Sequence, residues 1–256
     1  MILVLVSLPL RMPELISRRE LLLASVSAVM LPHAVMASGG ANKAGDDCRI
    51  DWSEFQDRMT ALAAAEAGSN INQQAVAENG LRYLKQLDIH SATFNSAIDN
   101  AYETGNRFWL WQRMVKGENI NGGILTIDSE QLVQLHDHPG ATGLLRIISG
   151  EAEVWQFDEK QQGTHVSSES DQGSGEVELI RVSRHILKAG DTAVLTPDKG
   201  NIHALRAVSK QCSMLDFFIP PYERSQRSWY EPLAKNWFDQ EKLSCRKIPQ
   251  HAYTKA

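Results

Sequence analysis

Cysteine is scarce in this chain, whose 256 residues include only Cys48, Cys212 and Cys245. An odd number of cysteines does not fit a disulfide framework, and a chain of this length can instead bury a full hydrophobic core. Cys48 and Cys245 lie near the two ends of the part expected to fold, so they could form one disulfide in an oxidising compartment. Cys212 falls in an apolar, strand-like run and is expected to be a buried small hydrophobe.

Basic residues are also fewer than acidic residues. The chain has 26 basic and 31 acidic residues, a formal net charge of −5, and no dense basic patch. This balance argues against a nucleic-acid partner. Charged residues at 22% and aromatic residues at 7% are ordinary for a globular protein, and no repeat of solenoid length is found. Most of the chain is therefore expected to form a globular fold.

The N-terminal segment lacks an apolar run suited to crossing a bilayer, because Leu21–Leu31 is short for that purpose. Arg18 and Arg19 precede this run, and small residues around Ala37 follow it. The order resembles a twin-arginine (Tat) export signal, with a plain Sec signal or a membrane anchor as the alternatives. We therefore expect residues 1–37 to be a signal peptide. The mature protein would be periplasmic or secreted, with no stable membrane insertion after cleavage.

Residues 38–113 are predicted to be a linker followed by a helical segment. Gly39–Asp47 has the composition of a linker, and apolar residues then recur at helical spacing over 51–113. Gly80 indicates an interruption within this segment. We expect two or three helices that cap or brace the rest of the fold, and His90 among them is expected to be structural or solvent-facing.

From Asn121 onward, short apolar runs separated by turn residues are typical of an all-β sandwich or barrel. Ser149-Gly150 is predicted to form a tight hairpin, and Arg146, within one run, is expected to be structural. Gln161–Glu176 is polar and rich in Gly and Ser, so we expect an exposed loop in which His165 is a poor ligand candidate. The predicted strands are 124–127, 132–135, 143–148, 152–157, 177–182, 192–195, 204–208 and 214–219.

Residues that can bind a metal are concentrated in Leu135-His-Asp-His-Pro-Gly140, with a later histidine at position 203. Because side chains alternate faces along a strand, His136 and His138 are expected to project on the same side. A third imidazole, from His203 on a distant strand, could complete a three-nitrogen metal site. Gly143 lies where many barrels of this kind have a fourth, carboxylate ligand, and a glycine cannot supply one.

Two longer patterns include these histidines and match the two motifs of the cupin barrel. The matching residues are Gly123, His136, His138 and Gly150 in the first motif and Gly190, Asp191, Pro197, Gly200 and His203 in the second. The resemblance implies a mainly β fold, a double-stranded β-helix or jelly-roll barrel with an N-terminal helical segment. We expect the barrel to occupy 114–219 and a C-terminal arm, 220–256, to pack on it.

Within the cupins, the chain resembles plant cysteine oxidases and cysteamine dioxygenase. The segments that carry this likeness are 135–142, 200–203, 215–222 and 228–230. The likeness covers the barrel and the C-terminal arm, roughly half of the chain. Two departures stand out, because Ala141 occupies a position where the family usually has Met and Trp229 one that is commonly Tyr.

The resemblance implies Fe(II) as the cofactor. The implied site residues are the metal ligands His136, His138 and His203 and the catalytic candidates Asp216, Tyr222 and Tyr230. Asp216 could orient a ligand imidazole or hold a substrate ammonium, or it could be a strand-end residue bound to backbone amides. Tyr222 could place its phenol over the open face of the metal or pack at the barrel mouth, and Tyr230 is the weaker candidate.

The activity implied is that of a thiol dioxygenase, which uses O2 to convert a small aminothiol, or the N-terminal cysteine of a peptide, to a sulfinic acid. Three neutral imidazoles suit this chemistry, because they leave the charge of the metal uncompensated and so favour a bound thiolate. A three-His zinc or manganese cupin acting as hydrolase or isomerase is an alternative, as is a non-catalytic metal- or ligand-binding cupin. The expected partners are a thiol and O2, and the chain is expected to be a monomer.

Overall fold

Among the residues that can be described, three helices precede the sheets in the computed structural model. The structure describes residues 48–253 apart from 69–70, 105–106, 109, 130, 161–174 and 223–225. The predicted signal peptide, the Gly39–Asp47 linker, most of the Gln161–Glu176 loop and His165 therefore lie outside the described residues. Within the described part of the chain, no helix has the length and apolar character needed to cross a membrane.

The helices are α1 (Trp52–Ala65), α2 (Gln73–Gln86) and α3 (Ala92–Glu103). Each begins after a residue whose side chain accepts a hydrogen bond from the first-turn backbone, and these caps are Asp51, Asn72 and Ser91. Gly80 does not interrupt α2 as predicted. It lies inside the helix. A Cβ at this position would stand 2.3 Å from Leu144 Cδ1, so glycine lets the helix pack closely on the sheet. His90 is exposed, as expected.

The helices brace one face of a sheet. Phe55 contacts Phe217 edge to face with ring centroids 5.4 Å apart, and Trp52 lies 5.6 Å from Phe94. Buried Arg146 links the layers, because its Nη1 donates to the backbone oxygens of Leu84 and Leu87, the latter at 2.8 Å. The guanidinium thus satisfies carbonyls at the end of α2, and the structural role expected for Arg146 is confirmed.

The described part of the chain forms twelve strands in two sheets. In chain order they are β1 (Arg107–Phe108), β2 (Trp111–Lys116), β3 (Asn121–Asp128), β4 (Leu132–His136), β5 (Thr142–Ser149), β6 (Glu151–Glu159), β7 (Gly175–Lys188), β8 (Thr192–Leu195), β9 (Ile202–Ala207), β10 (Gln211–Ile219), β11 (Ser228–Pro232) and β12 (Lys242–Pro249). One sheet has the order β1-β2-β3-β10-β5-β8, and the other closes on itself in the order β11-β12-β7-β6-β9-β4. All the predicted strands are present, which confirms the mainly β, cupin-like fold.

The helical prediction extends too far. The chain is already in β2 at Trp111, where it pairs with Leu125 of β3, because pairing between distant strands overrides a local apolar spacing. The C-terminal arm also does more than pack on the barrel. It supplies β11 and β12, with β12 paired to β7 and Trp229 of β11 paired to His136 of β4. Two short 3-10 helices, Trp237–Asp239 and Gln250–Ala252, complete this arm.

All three cysteines are free thiols. The pairing of Cys48 with Cys245 is therefore wrong for this fold, since Cys48 is exposed before α1 while Cys245 is buried in β12. Cys212 is buried in β10, as expected, and burial raises the pKa of its thiol to about 12. A thiol with so high a pKa stays protonated and packs as a small hydrophobic side chain.

Candidate metal centre

Strand register brings the three predicted histidines together. His136 ends β4 and pairs directly with His203 of β9 across the ladder. His138 lies just beyond β4, in a turn that ends at Gly140 with a φ of +71°, a backbone conformation that glycine adopts without strain. All three imidazoles are buried, with at most 5% of each residue exposed.

The ring nitrogens that the three histidines offer to a metal lie within 4.8 Å of one another. His203 Nε2 lies 3.0 Å from His138 Nε2 and 3.2 Å from His136 Nε2. A metal with bonds of about 2.1 Å to imidazole holds its nitrogens about 3.0 to 3.4 Å apart, as the ligand angle widens from square to tetrahedral. Among the described residues, this is the only group of three or more His, Cys, Asp or Glu side chains close enough to hold a metal.

The ionisation of the imidazoles suits metal ligands. Burial, and secondarily the charge of Arg227, lowers the pKa of His203 to about 3. Burial also lowers the pKa values of His136 and His138 well below the usual range. His136 Nδ1 lies 2.7 Å from the backbone oxygen of Gln134, so Nδ1 carries the proton and Nε2 presents a lone pair. Neutral imidazoles with converging lone pairs fit a divalent cation.

No carboxylate of a described residue joins this ligand set. A Cβ added at Gly143 would stand 2.8 Å from Leu195 Cγ and 3.2 Å from Phe218 Cε1, so the position has no room for a ligand side chain. Phe218 instead stacks on His138 with ring centroids 4.4 Å apart. Packing of Leu195 and Phe218 thus leaves no space for a ligand side chain at position 143.

Asn201 fixes the turn that carries His138. Its Oδ1 accepts from the His138 backbone N–H at 2.8 Å, and its Nδ2 donates to the His138 backbone oxygen at 3.2 Å. Nδ2 also donates to the backbone oxygen of Thr196. The side chain two residues before His203 therefore positions another ligand, a role that its place in the Asn201-Ile-His segment could have suggested.

A small cavity opens beside the three histidines. Its polar lining outside the ligand set comes from Asn121, Asp216, Tyr222 and Arg227. The volume open to the centres of water molecules is about 60 Å³, room for roughly four to six waters. None of its lining residues comes from the helices, so the helical segment braces the barrel without capping the site.

Asp216 lies on β10 and faces this cavity. Its carboxylate receives no hydrogen bond from any residue in the described part of the chain, which does not fit a strand-end aspartate held by backbone amides. Burial raises its pKa to about 7, against an opposing effect of Arg227. The cavity thus contains a carboxyl group that can exchange a proton near neutral pH.

Tyr222 lines the same cavity beside His138. Its ring stands edge to face with His138 at 4.7 Å and with Phe218 at 5.0 Å. Its hydroxyl accepts a hydrogen bond from Arg227 Nη2, and the Arg227 guanidinium carbon lies 5.2 Å from the centre of the tyrosine ring. Sequence reasoning missed Arg227, because no periodicity or motif distinguishes it from other arginines.

Tyr230, the third catalytic candidate, does not reach the metal cavity. Its hydroxyl donates to Asp137 Oδ2 at 3.1 Å and lies 3.4 Å from Glu159 Oε2. It lines a separate depression together with Asp137, Glu159 and Lys247. The expected place of Tyr230 beside the metal is therefore corrected, because its side chain lies on the face of β11 opposite to that of Trp229, which contacts His136.

Comparisons with known proteins agree with this geometry. The family model PCO_ADO matches residues 83–252. The chain is 25% identical over 125 residues to a 2-aminoethanethiol dioxygenase of Mus musculus, covering 44% of this chain and 49% of that protein. It is 24% identical over 128 residues to a probable 2-aminoethanethiol dioxygenase of Dictyostelium discoideum, covering 48% and 56% respectively. The chain thus spans about half the length of the curated relatives it matches.

Solved structures give more distant similarities. An uncharacterised Klebsiella pneumoniae protein with a double-stranded beta-helix domain is 19% identical, with a TM-score of 0.30 over 43% of this chain and 75% of that one. A Bacillus halodurans protein is 16% identical, with a TM-score of 0.34 over 49% and 81%. The family match covers well over half of the chain and includes all three histidines. The chain belongs to the PCO_ADO family, the cupin-fold family of plant cysteine oxidases and cysteamine dioxygenase that its motifs resemble.

Proposed function

We propose that this protein is an Fe(II)- and O2-dependent thiol dioxygenase. The reaction converts a thiol, R–SH, and one O2 into a sulfinic acid, R–SO2H, so that both oxygen atoms are transferred to sulfur and no further reductant is needed. The substrate class is a small aminothiol, such as cysteamine or cysteine, or the N-terminal cysteine of a peptide.

The convergence of three neutral imidazoles without a carboxylate carries this proposal. A metal held by His136, His138 and His203 would keep its full 2+ charge, which favours a thiolate as the next ligand. A bound Fe(II) would supply adjacent open positions at which a thiolate and O2 can react. The family match and the names of the relatives, which are dioxygenases, support a reaction with O2, and this favours iron over zinc because zinc has no redox chemistry.

The cavity residues supply orientation and charge around the reacting thiol. Asp216 makes no hydrogen bond to an imidazole in the described part of the chain, so its position supports the ammonium-holding role rather than the ligand-orienting one. The Tyr222 ring closes the cavity beside His138, and its hydroxyl is held by Arg227. Room for roughly four to six waters suits a substrate with few heavy atoms.

Oxygen uptake tests the proposal. Metal-free protein is loaded with Fe(II) under argon, then mixed with O2 and cysteamine, cysteine or a peptide that begins with cysteine. We expect one O2 consumed per thiol, with a gain of two oxygen atoms in the product by mass spectrometry. Zinc-loaded protein is the control and should consume none. Failure of every thiol to drive oxygen uptake would reject the proposal and favour a zinc or manganese hydrolase, an isomerase or a binding protein.

We further propose that the protein is exported through the Tat pathway and acts as a monomer outside the cytoplasm. Arg18 and Arg19 before an apolar run support this. Expression in a bacterial host should place a protein beginning at Ser38 in the periplasmic fraction. Replacing both arginines with lysine should block export, and unchanged export would point to a Sec signal instead. Gel filtration of the purified protein tests the monomer.

A further inference from the structure

Arg227 is a buried cation at the edge of the metal cavity. Only 8% of the residue is exposed, and it lines the same cavity as the three histidines. Its guanidinium carbon lies between two aromatic rings, 5.2 Å from the centre of Tyr222 and 5.4 Å from that of Trp229. These rings and the hydrogen bond to the Tyr222 hydroxyl hold the side chain in one place.

This charge has no anionic partner within the described residues. Among the described residues, no carboxylate lies within ion-pairing distance of Arg227, and its buried Nε has no hydrogen-bond acceptor. The contrast with Arg184 and Arg206 is clear, since each of them lies 2.7 Å from a carboxylate oxygen of Glu153. A buried charged group left without a partner is costly, and a bound ligand is one way in which a folded protein satisfies such a group.

The same cavity also presents unused acceptors. Asp216 has no hydrogen bond from a described residue, and Asn121 Oδ1 is buried without a partner. A ligand that satisfies the whole cavity therefore offers an anion to Arg227 and hydrogen-bond donors to Asp216 and Asn121. The charge of Arg227 acts on the whole site, since it lowers the pKa values of all three histidines and of Asp216.

We propose that Arg227 binds a carboxylate of the thiol substrate, so that the substrate class is a small amino acid thiol such as free cysteine. The sulfur would face the histidines, the carboxylate would face Arg227, and the ammonium would face Asp216 and Asn121. This inference rests on the proposed function and narrows it. Cysteamine has no carboxylate, and the first carbonyl of a peptide is an uncharged amide, so neither satisfies Arg227.

Binding without turnover tests the inference. Protein loaded with Co(II) is titrated under argon with cysteine and with cysteinamide, which differ in the carboxylate and its neutral amide replacement. Thiolate binding is followed by the absorption of the cobalt centre. Because a charge-assisted hydrogen bond is lost, we expect cysteine to bind about tenfold to a hundredfold more tightly than cysteinamide.

Variants assign this preference to one side chain. In Arg227→Gln the ratio of the two affinities should fall to about one to three, while Arg227→Lys, which keeps the charge but not the planar fork, should be intermediate. Arg246→Gln is the matched control, because Arg246 is an exposed arginine of the neighbouring strand β12, and it should leave the ratio unchanged. Circular dichroism melts establish that the variants are folded.

Each result has a distinct meaning. Equal affinity of the wild type for cysteine and cysteinamide would overturn the inference but leave the proposed function standing, since both thiols would still bind the metal. Retention of the full ratio by a folded Arg227→Gln would do the same. If no thiol changes the cobalt spectrum, the proposed function fails and the inference fails with it. The wild-type comparison decides the matter even if the Arg227 variants do not fold.

Discussion

Two aspartate–tyrosine pairs lie close to the metal ligands, and their surroundings differ. Asp137 accepts from the Ser228 backbone N–H at 2.7 Å and from the Tyr230 hydroxyl at 3.1 Å. Asp216 and Tyr222 instead line the cavity, where the carboxylate has no hydrogen bond from a described residue. The first pair joins the histidine turn to β11, and the second faces the space where a substrate would bind.

The comparison shows how residues of the same type acquire different roles. Polar groups satisfied by the protein itself contribute to stability, whereas unsatisfied groups beside a cavity are available to a ligand. Burial raises the pKa of Asp137 as well, but its hydrogen bonds from Ser228 and Tyr230 oppose that rise. Asp216, whose pKa rises to about 7, can exchange a proton in the cavity near neutral pH.

The largest effect is expected from the ligands that both pairs surround. His203→Ala should lower iron affinity and oxygen uptake by more than about a hundredfold, since even residues that only support a ligand typically cost tenfold to a hundredfold. Elemental analysis after dialysis measures the bound iron. His90→Ala, at an exposed histidine of the helical segment, is the control and should keep full iron content. Full iron content in His203→Ala would contradict the proposed metal centre.

Asp137→Asn should lower the stability of the fold but leave oxygen uptake intact. The substitution keeps an acceptor for the Ser228 backbone N–H but removes the carboxylate charge and the oxygen that accepts from the Tyr230 hydroxyl. This is expected to lower the free energy of unfolding by about 1–3 kcal/mol, measured by urea titration of the metal-free protein. Iron-loaded protein below its melting range should still consume O2 with a thiol. A stable but inactive Asp137→Asn would place this pair in the reaction and erase the distinction from Asp216.

Asp216→Asn should change how the free energy of unfolding depends on pH. Because the folded pKa of Asp216, about 7, lies above that of an unfolded aspartate, the folded wild type binds more protons and loses stability as pH rises from about 4 to 7. The metal-free variant lacks this loss, so it should gain stability relative to wild type over that window, by at most about 1.4 kcal/mol per pH unit. Urea titrations at several pH values measure the difference, and parallel curves would show that the carboxyl is ordinary.

Substitution of the two tyrosines gives a smaller contrast. Tyr230→Phe removes one hydrogen bond to Asp137 and should lower stability by about 1 kcal/mol without changing thiol affinity. Tyr222→Phe removes the acceptor of Arg227 and should weaken thiol binding several-fold with little loss of stability. Urea titration and cobalt absorption titration report the two quantities. The opposite assignment of effects would reverse the roles given to the pairs.

The smallest effect is expected at Glu159, at the edge of the hydrogen-bond network that Asp137 and Tyr230 form. Glu159 Oε2 lies 2.9 Å from Lys247 Nζ and 3.4 Å from the Tyr230 hydroxyl, but both charged side chains are partly exposed. Glu159→Gln should therefore lower stability by only about 0.5 kcal/mol, an effect that high salt should reduce. A loss as large as that of Asp137→Asn would mean that the network acts as one unit.

Local patterns predicted much of this molecule correctly. Strands such as Thr192–Leu195 were predicted with their observed bounds, because alternation and turn residues act over a few positions. The three ligands followed from an H-x-H pair and a glycine-spaced third histidine. The start of β2 and the closing strands β11 and β12 were missed, because their partners lie far away along the chain.

By itself, the sequence determined the fold class, the family and the identity of the three ligands, since these depend on short motifs and on strand periodicity. Only the tertiary structure decided which acidic and aromatic side chains face the site. Asp137 and Tyr230 are 93 residues apart and meet only because β11 pairs beside β4. Arg227 likewise becomes a cavity residue only when Tyr222 and Trp229 enclose it. Burial and pairing set the chemistry of these groups, and both arise from contacts between distant segments.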